Sequence, residues 1–452
     1  MFIVPLVLAV GAYFAYTTLN PTQKVDFPKD GWFGAGPKRA DDTNINQFQV
    51  KVPQEVIEDL KSRLKQSRIN HEVLEDSDNF QYGFNVNYLK KVKDYWLTKY
   101  DWTKQESILN TWPQFTTEIE GLKTHFYHIK PDAKKYKKIL PLLMVHGWPG
   151  NVFEFYKIIP MLVDPAAFKI GSIDFAFEII APSIPGYGFS EQPHKTGFSQ
   201  LASARVFKKL MNRLGHKKFY LQGGDWGAII VANLARMYPE SVYALHSNLL
   251  MAFQSSPKSF FLSVFGSFFP SLFFANPDHH TYNFFSNMKH VIIESGYMHI
   301  QATKPETVGT ALNDSPLGLA AYILEKFSTW TNYDYKDLSD GGLTKKFTLD
   351  ELLTIVMIYW TQGNIVSSQR FYKEFFLDPA NQALSTQYVD VPCAHAQFTN
   401  EMFDTQPPEI VATSYNLTSF ARIPNGGHFA ALEEPKALAQ HVFSFVRGVL
   451  KN

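Results

Sequence analysis

The chain has 452 residues, 45% of them hydrophobic, and a formal net charge of +1. That length exceeds one minimal domain and suits a large α/β domain with an insertion; the balanced charge offers neither a basic surface for nucleic acid nor an acidic tail. Aromatic residues reach 15%, with 39 Phe and 22 Tyr, and the single cysteine, Cys393, excludes an internal disulfide, as fits a reducing compartment.

Met1 to Tyr16 holds only apolar residues, Gly and Pro; the run continues to Leu19, and the first charged side chain is Lys24. A helix over that run spans roughly 28 Å, close to the ~30 Å hydrocarbon core of a bilayer. It lacks the basic leading segment and small-x-small site of a cleaved signal peptide. Residues 1–20 therefore read as a retained membrane anchor. Lys24, Lys29, Lys38 and Arg39 after it place the remainder on the cytosolic side. Residues 21–118 read as an N-terminal meander. Its first part, to residue 50, is a polar surface-wrapping linker, and helical spacing follows in Pro53–Lys65 and Val86–Thr98.

The strand–helix alternation of a parallel sheet begins near residue 120, giving a first core segment over 119–249. Strands are expected at Leu122–Ile129, Ile139–Val145, Phe175–Ala181, Lys218–Gln222 and Val242–His246, with helices at Ser199–Leu214 and Ala228–Tyr238. Then the character changes. Phe253, Phe260, Phe261, Phe265, Phe268 and Phe269 crowd one stretch, and helical patterns such as Leu317–Phe327 and Leu349–Trp360 follow. Residues 250–372 thus read as a helical lid inserted in the sheet domain. The core resumes over 373–452, with strands at Gln387–Cys393 and Thr418–Ile423 and a closing helix at Pro435–Val449.

Three short motifs carry chemistry. In Phe219-Tyr-Leu-Gln-Gly-Gly-Asp-Trp-Gly227 a strand runs through a glycine-rich turn into a helix. This is the nucleophile elbow, with Asp225 where esterase-type hydrolases carry Ser; the plainer reading is an Asp that caps the helix. A carboxylate nucleophile suits displacement at saturated carbon, with an ester as intermediate. His146-Gly-Trp-Pro-Gly150 follows a buried strand, so the Trp148 and Trp226 backbone N–H groups can together form an oxyanion hole. Asn425-Gly-Gly-His-Phe429 puts His428 on a loop near the C-terminus, where the nucleophile–acid–His order expects its base. The acid belongs in Ala394–Thr405, and Glu401 and Asp404 are the candidates. No metal or organic cofactor is called for, since neither H-E-x-x-H nor a nucleotide-binding loop occurs. Cys393 reads as the end of a buried strand, not as a nucleophile.

His146-Gly-Trp-Pro149, Pro182-Ser-Ile-Pro-Gly-Tyr-Gly-Phe-Ser190, Gly223-Gly-Asp-Trp-Gly227 and Gly426-Gly-His-Phe429 resemble the epoxide hydrolase family, which has the α/β-hydrolase fold. The apolar N-terminus, the meander, Gly296-Tyr-Met-His-Ile-Gln301 and the stretch Ser315–Trp330 are similar to its microsomal branch, which includes the insect juvenile hormone epoxide hydrolases. The resemblance covers nearly the whole chain; the stretch Cys393–Asn400 departs from the branch's pattern. It implies Asp225 as nucleophile, His428 as base, Glu401 rather than Asp404 as the acid, and Tyr297 and Tyr372 as donors to the epoxide oxygen. The implied reactants are a hydrophobic epoxide, aryl, stilbene-type or terpenoid, and water. The implied location is the endoplasmic reticulum membrane. The rival readings are a haloalkane dehalogenase on the same fold, which would need halide-binding side chains in place of the tyrosines, and a non-catalytic membrane-bound carrier of hydrophobic molecules.

Overall fold

The computed structural model describes residues 26–171, 173–252, 256–402 and 406–451. The expected anchor at 1–20, Phe253 and Asp404 lie outside the described residues. Nine strands form one sheet: β1 (Asn46–Phe48), β2 (Gln114–Ile119), β3 (Leu122–Ile129), β4 (Lys138–Val145), β5 (Phe175–Pro182), β6 (Phe219–Gly223), β7 (Val242–Ser247), β8 (Val389–Phe398) and β9 (Tyr415–Ile423). Their order across the sheet is β1-β2-β3-β5-β4-β6-β7-β8-β9. The pairs β1–β2, β2–β3 and β3–β5 are antiparallel, and all pairs from β5–β4 to β8–β9 are parallel. This is the α/β-hydrolase fold.

The parallel strands are buried because helices cover both faces of such a sheet. Every residue of β6 is buried, as is the C-terminal half of β4. Gln200–Arg213 packs with Trp226–Met237, and Ile159–Val163 with Pro435–Val449. From β4 the chain crosses to β5 on one side, whereas from β6 it crosses to β7 on the other. The C-terminal ends of β4 and β6 therefore border a crevice, the usual site for ligands in α/β sheets.

Two regions differ from the periodicity. The sheet starts earlier than residue 120, because β1 and β2 precede it. β2 bears Gln114, Thr116 and Thr117 in buried positions, so no apolar alternation marks it; hydrogen bonds such as that from Gln114 Nε2 to the Leu109 carbonyl (2.9 Å) satisfy them instead. The same pairing draws part of the supposed surface linker into the sheet, and Phe33 and Val50 into the core. β8 starts two residues later than Gln387 and runs on to Phe398, through His395 and Gln397, two buried polar residues that break the apolar run. Within it Cys393 is fully buried, and burial pushes its thiol up to about 12, so it stays protonated.

Between β7 and β8 the chain forms a succession of helices, from Pro257–Phe268 to Pro379–Ser385, seated over the C-terminal edge of the sheet. Leu349–Gln362 starts with a complete capping box between Thr348 and Glu351, an arrangement that satisfies two orphan donors reciprocally. Among the described residues no helix is long and apolar enough to cross a membrane.

Candidate active site

The turn between β6 and the helix Trp226–Met237 consists of Gly224 and Asp225 alone. Asp225 has φ +49° and ψ −130°, a region that non-glycine residues adopt at a cost of about 1–3 kcal/mol and that clusters at functional sites. Its neighbours must be small. A Cβ on Gly223 would come within 2.5 Å of the Gly227 carbonyl oxygen, one on Gly227 would overlap the Val145 carbonyl, and one on Gly147 would overlap the Asp225 carboxylate. The glycines let β4, the elbow and the helix close on one another, and the strain lifts the Asp225 side chain above the sheet edge.

Three segments converge on that carboxylate. The Trp148 backbone N–H donates to Asp225 Oδ1 at 2.7 Å. His428 Nε2 lies 3.4 Å from Oδ2, and on its other side His428 Nδ1 is 2.8 Å from Glu401 Oε2. His428 and Glu401 are both buried. Burial alone would depress the imidazole, but the negative charges of Glu401 and Asp225 outweigh it and hold His428 well above its ordinary value. The His428 loop is itself pinned. Its N–H donates to the Trp330 carbonyl at 3.0 Å, and Glu433 accepts the N–H groups of Gly427 and Phe429, each at 2.8 Å. His146 is structural. Burial lowers it to about 4, its Nε2 accepts from Ile184 N–H (3.1 Å) and its Nδ1 faces the Gly147 carbonyl (3.0 Å). That neutral ring fixes the loop bearing Trp148.

Above Asp225 opens a cavity of about 450 Å³, lined mainly by apolar side chains such as Ile229, Leu249, Met288 and Phe375. Tyr297, from the helix Gly296–Thr303, and Tyr372, from the helix Ile365–Leu377, also line it. Their rings meet edge-on, centroids 6.0 Å apart, and burial, reinforced by the Asp225 charge, pushes both phenols well above their ordinary value. They remain protonated donors. The Trp148 indole stacks on Tyr297 (centroids 5.4 Å apart, planes 4° apart) and meets Tyr372 edge-on at 5.7 Å. One residue thus presents its backbone to the carboxylate and its ring to both phenols. Trp226 packs edge-on against Tyr372 at 4.7 Å.

The structure therefore gathers these residues around Asp225: Trp226, Tyr297 and Tyr372 line the cavity with it, Trp148 and His428 contact its carboxylate, and Glu401 stands behind His428. The sequence reading passed over Glu154. It is a lone charge in the apolar run Val152–Tyr156 directly after the Trp148 loop, and that interruption was the available signal. It lines a second, much smaller cavity beside Asp225 and His428.

Known proteins resemble this chain over nearly its whole length. The family description "Epoxide hydrolase N terminus" matches residues 45–155, and "alpha/beta hydrolase fold" matches residues 141–401. The chain is 49% identical to Epoxide hydrolase 1 of Sus scrofa over 431 residues, 92% of each chain. It is 43% identical to Juvenile hormone epoxide hydrolase 1 of Ctenocephalides felis, over 96% of this chain and 93% of that one. The crystal structure of juvenile hormone epoxide hydrolase from the silkworm Bombyx mori superimposes with a TM-score of 0.89 at 40% identity, covering 94% of this chain and 100% of that chain.

Proposed function

The chain belongs to the epoxide hydrolase family and is a hydrolase of epoxides, and from that premise we propose the residues that perform the reaction and the substrates it takes. The observation that carries the reading is the Asp225 carboxylate at the floor of an apolar cavity, facing two protonated phenols. Tyr297 and Tyr372 hydrogen-bond the epoxide oxygen. Asp225 attacks a ring carbon, the C–O bond breaks, and a phenol proton passes to the departing oxygen. The product of this step is a hydroxyalkyl ester on Asp225.

Esterification also changes His428. In the resting site two carboxylates favour the imidazolium. Once Asp225 is an uncharged ester, one of them is gone, the imidazole loses its proton more readily, and that proton restores the phenol. Neutral His428, held by Glu401, then takes a proton from water as the water oxygen attacks the Asp225 carbonyl carbon. The Trp148 and Trp226 N–H groups stabilise the oxyanion; the 2.7 Å bond from Trp148 to Oδ1 supports that role. Collapse expels the diol as an alkoxide, which is protonated by His428. The new Asp225 carboxyl then returns its proton to the imidazole.

The cavity's size lies within the range of small-molecule sites, and its apolar walls suit aryl, stilbene-type or terpenoid epoxides, juvenile hormone among them. With purified protein, such a panel should give vicinal diols, and chloroalkanes should release no chloride. Chloride release with no diol from any epoxide would transfer the site to dehalogenation. A mere carrier would have no use for a His–Glu pair on the carboxylate.

Residues 1–20 serve as an anchor in the endoplasmic reticulum membrane with the catalytic domain facing the cytosol, a reading supported by the apolar run and the cationic flank after it. Deleting residues 1–20 should release active protein from microsomes. Retention on the membrane after that deletion would shift the anchoring to the lid, where Phe268, Phe269 and Leu272 are exposed.

A further inference from the structure

Beside the Asp225 carboxylate, which also lines the substrate cavity, lies a second pocket of about 20 Å³. That is room for one water molecule. Its wall includes Asp225, His428, Trp148, Asn248 and Glu154. The mechanism above accounts for the first three and leaves Glu154 without a part.

Glu154 sits in the short 3-10 helix Val152–Phe155, which is capped by the Asn151 side chain on Phe153 N–H (3.0 Å). The turn folds the Glu154 carboxyl back over Gly150. A Cβ at position 150 would overlap Glu154 Oε1, so the last glycine of the His146–Gly150 motif is what leaves space for this carboxyl. Protein surrounds Glu154 on every side, yet it keeps some water-accessible surface because it faces the pocket.

We propose that Glu154 is the positioning residue for the hydrolytic water: its carboxyl accepts one hydrogen of a water held in this pocket while the other hydrogen points to His428 Nε2. The water's lone pair is then directed at the Asp225 carbonyl carbon. Two anchored hydrogens fix the orientation of a molecule that a single acceptor would leave free to rotate, and orientation of this kind is a large part of rate acceleration.

The protonation of Glu154 agrees with that task. Burial, with the Asp225 and Glu433 charges adding to it and His428 opposing, pushes its carboxyl up to about 8. At neutral pH it is mostly an uncharged acid. As such it does not repel the Asp225 carboxylate and does not compete with His428 for the water's proton, but its carbonyl oxygen still accepts a hydrogen bond. The Glu154 backbone N–H donates to the Asn151 carbonyl at 3.0 Å, which fixes the turn that carries it.

The inference rests on Asp225 being the esterified residue, and single-turnover kinetics with styrene oxide separate the two. Stopped-flow tryptophan fluorescence follows ester formation and ester breakdown, and mass spectrometry of the Asp225 peptide identifies the adduct. Glu154→Leu should form the ester at close to the wild-type rate and hydrolyse it roughly 10- to 100-fold more slowly, the loss expected for one buried hydrogen bond. Glu154→Gln, whose amide carbonyl accepts the same hydrogen bond, should recover most of that loss. Gly150→Ala, which displaces the carboxyl without removing it, should slow the same step, and supplies the measurement if Glu154→Leu does not fold. An unchanged breakdown rate in Glu154→Leu, an equal slowing of both steps, or a Gln variant as slow as Leu would each overturn the proposal. Absence of any wild-type adduct on the Asp225 peptide would instead overturn the nucleophile assignment.

Discussion

His428→Gln should consume one equivalent of epoxide and then stop. Asp225 keeps the Trp148 hydrogen bond and its place on the elbow, so the alkylation step loses little. The second step loses its base, which commonly contributes ~10²–10⁴ in rate. Ester should therefore accumulate to near stoichiometry, and the Asp225 peptide should carry the mass of the intact substrate. Glu401→Gln should show a milder version of the same phenotype. It keeps an acceptor at the 2.8 Å contact with His428 Nδ1 but removes the charge that stabilises the imidazolium. An adduct on another residue, or none with a substrate that wild type consumes, would remove Asp225 from the reaction.

The parts of this site legible in the sequence are those whose local geometry demands particular residue types. The elbow is one: Gly223 and Gly227 flank Asp225 because side chains there would strike backbone. The His428 loop is another, because a Cβ on Gly427 would lie 2.5 Å from the Trp330 and Thr331 carbonyl oxygens. Largely buried strands such as β4 and β5 were legible as apolar runs. What stayed hidden depends on contacts between distant segments. β2 carries its polarity inward and is satisfied by hydrogen bonds that no spacing announces. Local chemistry left Glu401 and Asp404 equivalent, since either lies on the right loop; only the folded chain sets the Glu401 carboxylate against His428. Tyr297 and Tyr372 sit 75 residues apart on two lid helices, and nothing in their immediate neighbours separates them from the other tyrosines. Family resemblance singled them out, and packing around Trp148 explains their proximity. Glu154 left one local trace, a charge inside an apolar run, but its role depends on a pocket walled by loops after β4, β6, β7 and β9.

Replacing both phenols should nearly abolish ring opening, and this change distinguishes epoxide chemistry from every other use of the elbow. A strained ring opened by a carboxylate leaves an alkoxide, a strong base that needs a proton or a short hydrogen bond as charge develops. A halide leaving group would need only weak donors. Tyr297 and Tyr372 are the donors facing Asp225 across the cavity, and both are held protonated by burial and by the Asp225 charge itself. Loss of one transition-state donor typically costs ~10²–10³ in rate. Each single Tyr→Phe change should leave partial activity, because both phenols line the same cavity with their rings 6.0 Å apart and the survivor can still reach the oxygen. The double variant Tyr297→Phe, Tyr372→Phe should lose more than either single change, with the whole loss in ester formation. The rings stay, so the stacking of Trp148 on position 297 is preserved and the oxyanion loop is undisturbed. Breakdown of an ester, once formed, should then run at close to the wild-type rate. Rapid ester formation in the double variant would mean that the alkoxide is protonated by some other group, and the tyrosines would be reduced to cavity lining.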